Sequence, residues 1–225
     1  MGLRDDAAAD AVAAQFAAQE GRFSNTEAVL LDLCDGVFGE KLAAADQQQA
    51  QAILQAVASL ELDAKRERDS LQAETARASL LGDWRLVFTN SEVALKGGVS
   101  GLASVPFCSS VAVMQRLSEM SPEAQCVEVV SLPLGVKSAV ILKGGWKVEG
   151  DAEGSMLVCT YDSSEVAGGQ MPPNLQAATQ QTVVTATTHV GTQVRLERAQ
   201  SGAVFVWARQ AVPIEETVQG LIARA

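Results

Sequence analysis

His189 is the only histidine in this chain, so any Ser-His-Asp relay or imidazole metal site would have to use it. It stands in a threonine-rich run, Thr185-Ala186-Thr187-Thr188-His189, and no Gly-x-Ser-x-Gly elbow occurs to supply a nucleophile. A hydrogen-bonded polar residue is the reading of His189. Cys34, Cys108, Cys126 and Cys159 lie too far apart for zinc or haem spacing. They read as reduced, mostly buried thiols, with a Cys126–Cys159 bridge between neighbouring strands left open. Lys96-Gly97-Gly98, Lys143-Gly144-Gly145 and Gly168-Gly169 lack a following helix and a Walker lysine-threonine, so they read as loops and a strand kink. No acidic cluster has calcium-loop spacing. The expectation is a protein with no catalytic residue, no metal site and no cofactor.

Charge narrows the partners. The chain of 225 residues carries a net −10, of which residues 1–80 contribute −7 and residues 81–225 contribute −3. An acidic helical part argues against nucleic acid, which needs clustered Lys and Arg. It argues equally against electrostatic docking on anionic lipid. No apolar run approaches the roughly 20 residues that span a bilayer. The start, Met1-Gly2-Leu3-Arg4-Asp5-Asp6, lacks a signal-peptide core and is too acidic for an organellar transit peptide. The expectation is a soluble chain, or a mature form whose transit peptide is absent. At 48 % hydrophobic residues, a sizeable core can form.

Three segments must position whatever site exists: residues 1–80, helical; 81–212, strands; 213–225, a short closing helix. Residues 6–20 are alanine-rich and read as a weakly anchored helix. Ser24-Asn25-Thr26-Glu27 has the S-x-x-E form of a capping box, and Leu30, Leu33, Cys34, Val37 and Phe38 then form one apolar stripe. Residues 46–62 repeat the pattern with Ala50, Ile53, Leu54, Val57 and Leu60. Residues 65–77 read as a solvated helix. After Gly82 the period falls to two, and strands are predicted over 84–90, 109–117, 124–132, 137–148, 155–165, 181–189, 193–199 and 203–210. Eight antiparallel strands with short connections suggest a closed up-and-down barrel or a sandwich, and closure leaves no exposed edge. The fold class is therefore mainly β with an added helical part (α+β).

Gly82-Asp83-Trp84 opens the first of these strands, and it resembles the Gly-x-Trp start of lipocalin-type barrels. The longer stretch Leu80-Leu81-Gly82-Asp83-Trp84-Arg85-Leu86-Val87-Phe88-Thr89-Asn90-Ser91 resembles the start of the barrel in the plastid lipid-associated proteins, also called fibrillins or plastoglobulins. Val194-Arg195-Leu196-Glu197-Arg198, Gly202, Phe205-Val206 and Arg209 resemble that family's last two strands. Two departures stand out. Lys65-Arg66-Glu67-Arg68-Asp69 replaces an Asn-Pro-Thr turn, and Gly191-Thr192-Gln193 stands where an acidic residue is often found. The resemblance implies a chloroplast protein at plastoglobules, thylakoid surfaces or in the stroma, with roles in lipid storage or photoprotection.

Physical reasons for the motif exist apart from the family. Gly82 lets the backbone turn sharply into the barrel floor. Trp84 can plug the closed end, with Arg195 or Arg209 over its ring to seal the first strand to the last. Alternation places Trp84, Leu86 and Phe88 on one face of the first strand, Val111 and Val113 together on the second, and Val140 and Leu142 together on the fourth. Phe205, Trp207 and Arg209 share a face on the last. A barrel of eight strands is filled by side chains or holds one small ligand. If it is open, this mainly aliphatic lining suits a quinone, carotenoid, tocopherol or acyl lipid, with Phe88 and Trp207 beside the chain. Its polar head would then meet an arginine, Tyr161 or the Gly97–Gly101 loop. If it is filled, the helix stripes would dock on a photosynthetic or plastid lipid-synthesis complex.

Overall fold

The computed structural model of the chain describes residues 25–35, 46–67, 73–151, 154–167, 169–170 and 179–223. The helix expected over 6–20, the Ser24 half of the capping box, Val37, Phe38, Gly168, residues 171–173 of the same loop and the last two residues of the closing helix fall outside those residues.

Among the described residues, nine strands form one antiparallel sheet: β1 (Gly82–Thr89), β2 (Ser109–Leu117), β3 (Ala124–Ser131), β4 (Lys137–Asp151), β5 (Gly154–Val166), β6 (Gly169–Gln170), β7 (Gln181–Val190), β8 (Val194–Arg198) and β9 (Val204–Arg209). β1 pairs with both β2 and β9, and β4 pairs with β5, so eight strands close on themselves. The short β6 is appended to β5. The barrel expected from the period change at Gly82 is present, and its strand limits follow the punctuation in the sequence. Up-and-down order puts the β1–β2, β3–β4, β5–β7 and β8–β9 connections at one end, the mouth. The β2–β3, β4–β5 and β7–β8 connections lie at the other end, the floor.

Helices α1 (residues 25–34) and α2 (Gln47–Glu67) cover the outside of β1, β9 and β8. Leu30, Cys34, Ile53, Val57 and Leu60 pack there on Phe88, Val194, Leu196, Val204 and Val206. The two amphipathic stripes thus bury against the barrel, as their spacing requires. Arg198 donates to both carboxylate oxygens of Glu61 at 2.7 Å, fastening α2 to β8. Helix α3 (Ala73–Leu80) leads into β1. A six-residue helix, α4 (Glu92–Gly97), and a 3-10 turn over Leu102–Ser104 fold across the mouth. The last helix, α5 (Ile214–Ala223), lies on the outside of β2, β3 and β4.

Glu27 holds α1 to the barrel. Its carboxylate is fully buried, with Oε1 2.8 Å from His189 Nε2 and Oε2 accepting from Gln193 N at 2.9 Å and Thr192 Oγ1 at 3.3 Å. His189 is therefore the hydrogen-bonded polar residue expected. Gly191 is needed beside it, because a Cβ there would fall 1.5 Å from Glu27 Oε1.

Candidate functional site

The floor is built from the Gly-x-Trp motif. Gly82 has φ +119°, and a Cβ there would sit 3.0 Å from Arg209 Nη1. Trp84 is fully buried and its Nε1 donates to Leu80 O at 2.9 Å, which ties the ring to the end of α3. Arg209 covers that ring at 4.1 Å and donates to Leu81 O, Ser79 O and Thr192 O. A guanidinium over an indole gains roughly 0.5–2 kcal/mol, more as water is excluded. Trp146 repeats the device: its Nε1 donates to Ser118 O, and Arg77 lies 4.6 Å over its ring.

Above the floor the interior is filled. Trp84, Leu86, Val113, Val140, Leu142, Leu157, Tyr161 and Trp207 belong to one buried cluster, with Phe205 packed against it. Arg195, fully buried, lies 4.9 Å from both the Trp84 and Trp207 rings, between the two indoles. Its Nη2 donates to Gln115 Oε1, and Gln115 Nε2 in turn donates to Tyr161 Oη at 3.0 Å. Arg195 also pairs with Glu197 at 3.1 Å, and Trp207 Nε1 donates to Glu197 Oε2 at 3.2 Å. Burial lowers the Arg195 pKa while Glu197 opposes that shift. Desolvation drives the thiol of Cys159 up to about 12 and that of Cys126 higher still, so both stay protonated, and all four cysteines are free.

Arg195 or Arg209 was expected over the Trp84 ring, and both lie there. Two residues expected in the interior lie outside it. Phe88 sits in the outer cluster under α1 and α2, because the β1–β9 register shifts by one residue between Leu86 and Phe88. Val111 sits in the outer cluster under α5, because β2 shifts against β3 between Ser110 and Ala112. A bulge turns every later side chain to the opposite face. Arg209 belongs to the floor rather than to a ligand pocket. Tyr161, expected near a headgroup at the mouth, is buried against Gln115.

The open space is at the mouth. A cavity of about 550 Å3 lies between α4, the Val99–Val105 segment and the start of β7. Val93, Val99, Leu102 and Val105 give it apolar walls, and Gly97, Gly98 and Gly101 give it a floor without side chains. Gln181 Nε2 donates to Val99 O at 2.8 Å and Ser100 N donates to Glu128 Oε2 at 2.8 Å, holding this strip down. In the mouth connections, Phe107 is 88 % exposed with φ +66°, and Leu134 is fully exposed with φ +69°. Among the described residues these are the two non-glycine positions with positive φ. Bulky residues occupy that region at a cost of about 1–3 kcal/mol. Both hold an apolar side chain out into solvent at the mouth end, and Val105 and Val136, two residues away in the chain, are exposed as well.

Gln115, Glu128 and Glu197 carry no signal of a site in the sequence, although all three point into the barrel. Val194-Arg195-Leu196-Glu197 alternates, and ordinary patterning would turn its charges outward. The helical layer covers the outer face of β8 and takes Val194 and Leu196, which sends Arg195 and Glu197 inward. Two amphipathic helices without a partner of their own were the available signal. Among the described residues, no group of three or more His, Cys, Asp or Glu is placed to hold a metal ion, and no helix is long and apolar enough to cross a membrane. Compared with family models, with curated proteins and with solved structures, the chain matches none.

Proposed function

We propose that the protein is a non-catalytic binder of a lipophilic molecule that seats the mouth of its barrel on a neutral lipid surface. The observation that carries this reading is the mouth: Phe107 and Leu134 held out on strained backbone at the end of the barrel that also holds a cavity of about 550 Å3 with apolar walls. Full burial of a Phe or Leu side chain gains about 1.5–3 kcal/mol. Two such insertions give about 3–6 kcal/mol, against about 4 kcal/mol for millimolar affinity. The attachment is therefore reversible and peripheral.

Charge supports a neutral surface. The mouth connections, residues 90–108 and 132–136, hold Glu92 and Lys96, which pair with each other at 2.9 Å, and residues 166–181 hold no charge. The floor connection, residues 118–123, holds Glu119 and Glu123 and no cation. The resemblance of the first and last strands to plastid lipid-associated proteins supports a plastid setting, at plastoglobule or thylakoid lipid. It also supports a quinone, carotenoid, tocopherol or acyl lipid as ligand. The filled interior favours a second reading, an interaction protein docked on a photosynthetic or plastid lipid-synthesis complex.

The test is cosedimentation with neutral vesicles, with Phe107→Trp as a fluorescent reporter. Binding that survives high salt is expected, with a blue shift in the emission of the indole introduced at that position. A Phe107→Asp/Leu134→Asp variant should stay in the supernatant. Wild-type protein that ignores vesicles would leave the second reading as the better one.

A further inference from the structure

Glu128 touches two residues that line the cavity, Gly98 and Ser100, and half of its carboxylate is unused. The side chain is 1 % exposed. Oε2 accepts from Ser100 N, but Oε1 has no hydrogen-bond partner, and no Lys or Arg of the described residues pairs with the group. Buried charges are ordinarily paired, and an unmet buried acceptor costs about 1–3 kcal/mol or more. Oε1 packs against Gly98, where a Cβ would fall only 1.8 Å away. Gly98 lines the cavity, so only a strip of glycine backbone separates the free oxygen from that space. A second unused group lies close by. Ser110 pairs with Val130 on β3, one inward position beyond Glu128, and its buried hydroxyl also lacks a partner.

We infer that this pair is the head-recognition site for the lipophilic ligand, and that the ligand carries a hydrogen-bond donor, an O–H or N–H, on its polar end. The inference rests on the reading that the cavity takes a lipophile. The chain lies against Val93, Val99, Leu102 and Val105, and the head displaces the Gly97–Gly101 strip to donate to Glu128 Oε1. No side chain anchors that strip at positions 97, 98 or 101; its hydrogen bonds to Gln181 and Glu128 are the links to be exchanged, while those of Gly98 N to Ala94 O and of Ser104 N to Gly101 O stay within the α4 and 3-10 segments. Ser110 offers a second contact, as donor or acceptor. Heads that only accept, such as an ester or a quinone carbonyl, face the carboxylate with lone pairs and are rejected. Selectivity then follows from an unfavourable pairing as much as from a favourable one.

Three probes share a twelve-carbon chain and differ at the head: dodecanol, dodecylamine and methyl dodecanoate. Displacement of a fluorescent acyl probe measures each. The alcohol and the amine should bind at least about tenfold more tightly than the ester, since a hydrogen bond to a charged group is worth that factor or more. Their ratio separates a hydroxyl-bearing ligand from an ammonium-bearing one. Glu128→Gln keeps an acceptor for Ser100 N but turns the free position into an amide donor, so the order should invert in favour of the ester. Should that variant fail to fold, Ser110→Ala gives the same information, with a several-fold loss for the alcohol and little change for the ester. Val93→Trp, at a position 80 % exposed, should weaken all three by narrowing the cavity. Saturable binding with no preference between alcohol and ester would overturn the inference and leave the proposed function standing. No binding by any probe would overturn both.

Discussion

The two ends of the barrel are built on opposite terms. At the floor, the Trp84 and Trp146 indoles each have an acceptor and an arginine over the ring, and the Arg209 guanidinium reaches three carbonyls. At the mouth, Glu128 Oε1 and Ser110 Oγ lack partners, two bulky residues adopt positive φ, and a cavity lies open. One end commits its polar groups to closure. The other keeps unmatched groups and backbone strain, which natural proteins retain chiefly where a ligand or partner completes them.

The largest expected effect breaks the floor. Trp84→Ala removes a fully buried indole with its hydrogen bond and should cost about 3–5 kcal/mol in urea unfolding. An unchanged midpoint would show that the floor is not what holds the barrel shut. Arg195→Ala comes next, at about 3 kcal/mol, because it strands Glu197 in the interior. The double variant Arg195→Met/Glu197→Gln should recover much of that loss. A double-mutant cycle showing simple additivity would mean the pair is not coupled.

At the mouth the sign reverses. Leu134→Gly relieves a positive φ and exposes nothing new, so it should raise stability by about 1 kcal/mol while weakening vesicle binding. A loss of stability would remove the argument from strain. The smallest effect concerns α5, where Arg116 joins Asp83 and Glu215 at 2.6 Å each. The hydrogen bond from Arg116 lowers the Glu215 pKa below its usual 4.5. A carboxylate lowered on folding stabilises at pH values above its unfolded pKa, and that contribution is lost as pH falls through the folded value. Melting temperature should therefore fall below about pH 4.5, and Glu215→Gln should flatten part of the decline.

The strands were legible because glycine, proline and polar clusters punctuate them, and the helices because their stripes follow the helical repeat. Trp84 and Arg209 were legible because first and last strands must meet in a closed barrel, and Arg195 follows one strand further on. Phe88 and Val111 were not. A bulge is one extra residue set by how a strand pairs with its neighbour, β9 for β1 and β3 for β2, and nothing local in Leu86-Val87-Phe88 or Ser110-Val111-Ala112 marks it. Glu128 was hidden for a different reason: Val127-Glu128-Val129 reads as a polar-outward strand, but α5 covers the outer face and takes both valines.

The Glu27 link has a consequence for biogenesis. Its partners, His189, Thr192 and Gln193, come 162 or more residues later in the chain. At a synthesis rate of about 5–20 residues per second, α1 waits on the order of ten seconds or longer on the ribosome before its wall exists. During that interval Leu30, Ile53, Val57 and Leu60 have only each other and Phe88 to cover them, since Val194, Leu196, Val204 and Val206 are still unmade. The nascent chain therefore carries uncovered apolar stripes until its last hairpin is made. Interruption of synthesis before residue 189 would release a fragment with its stickiest surface bare.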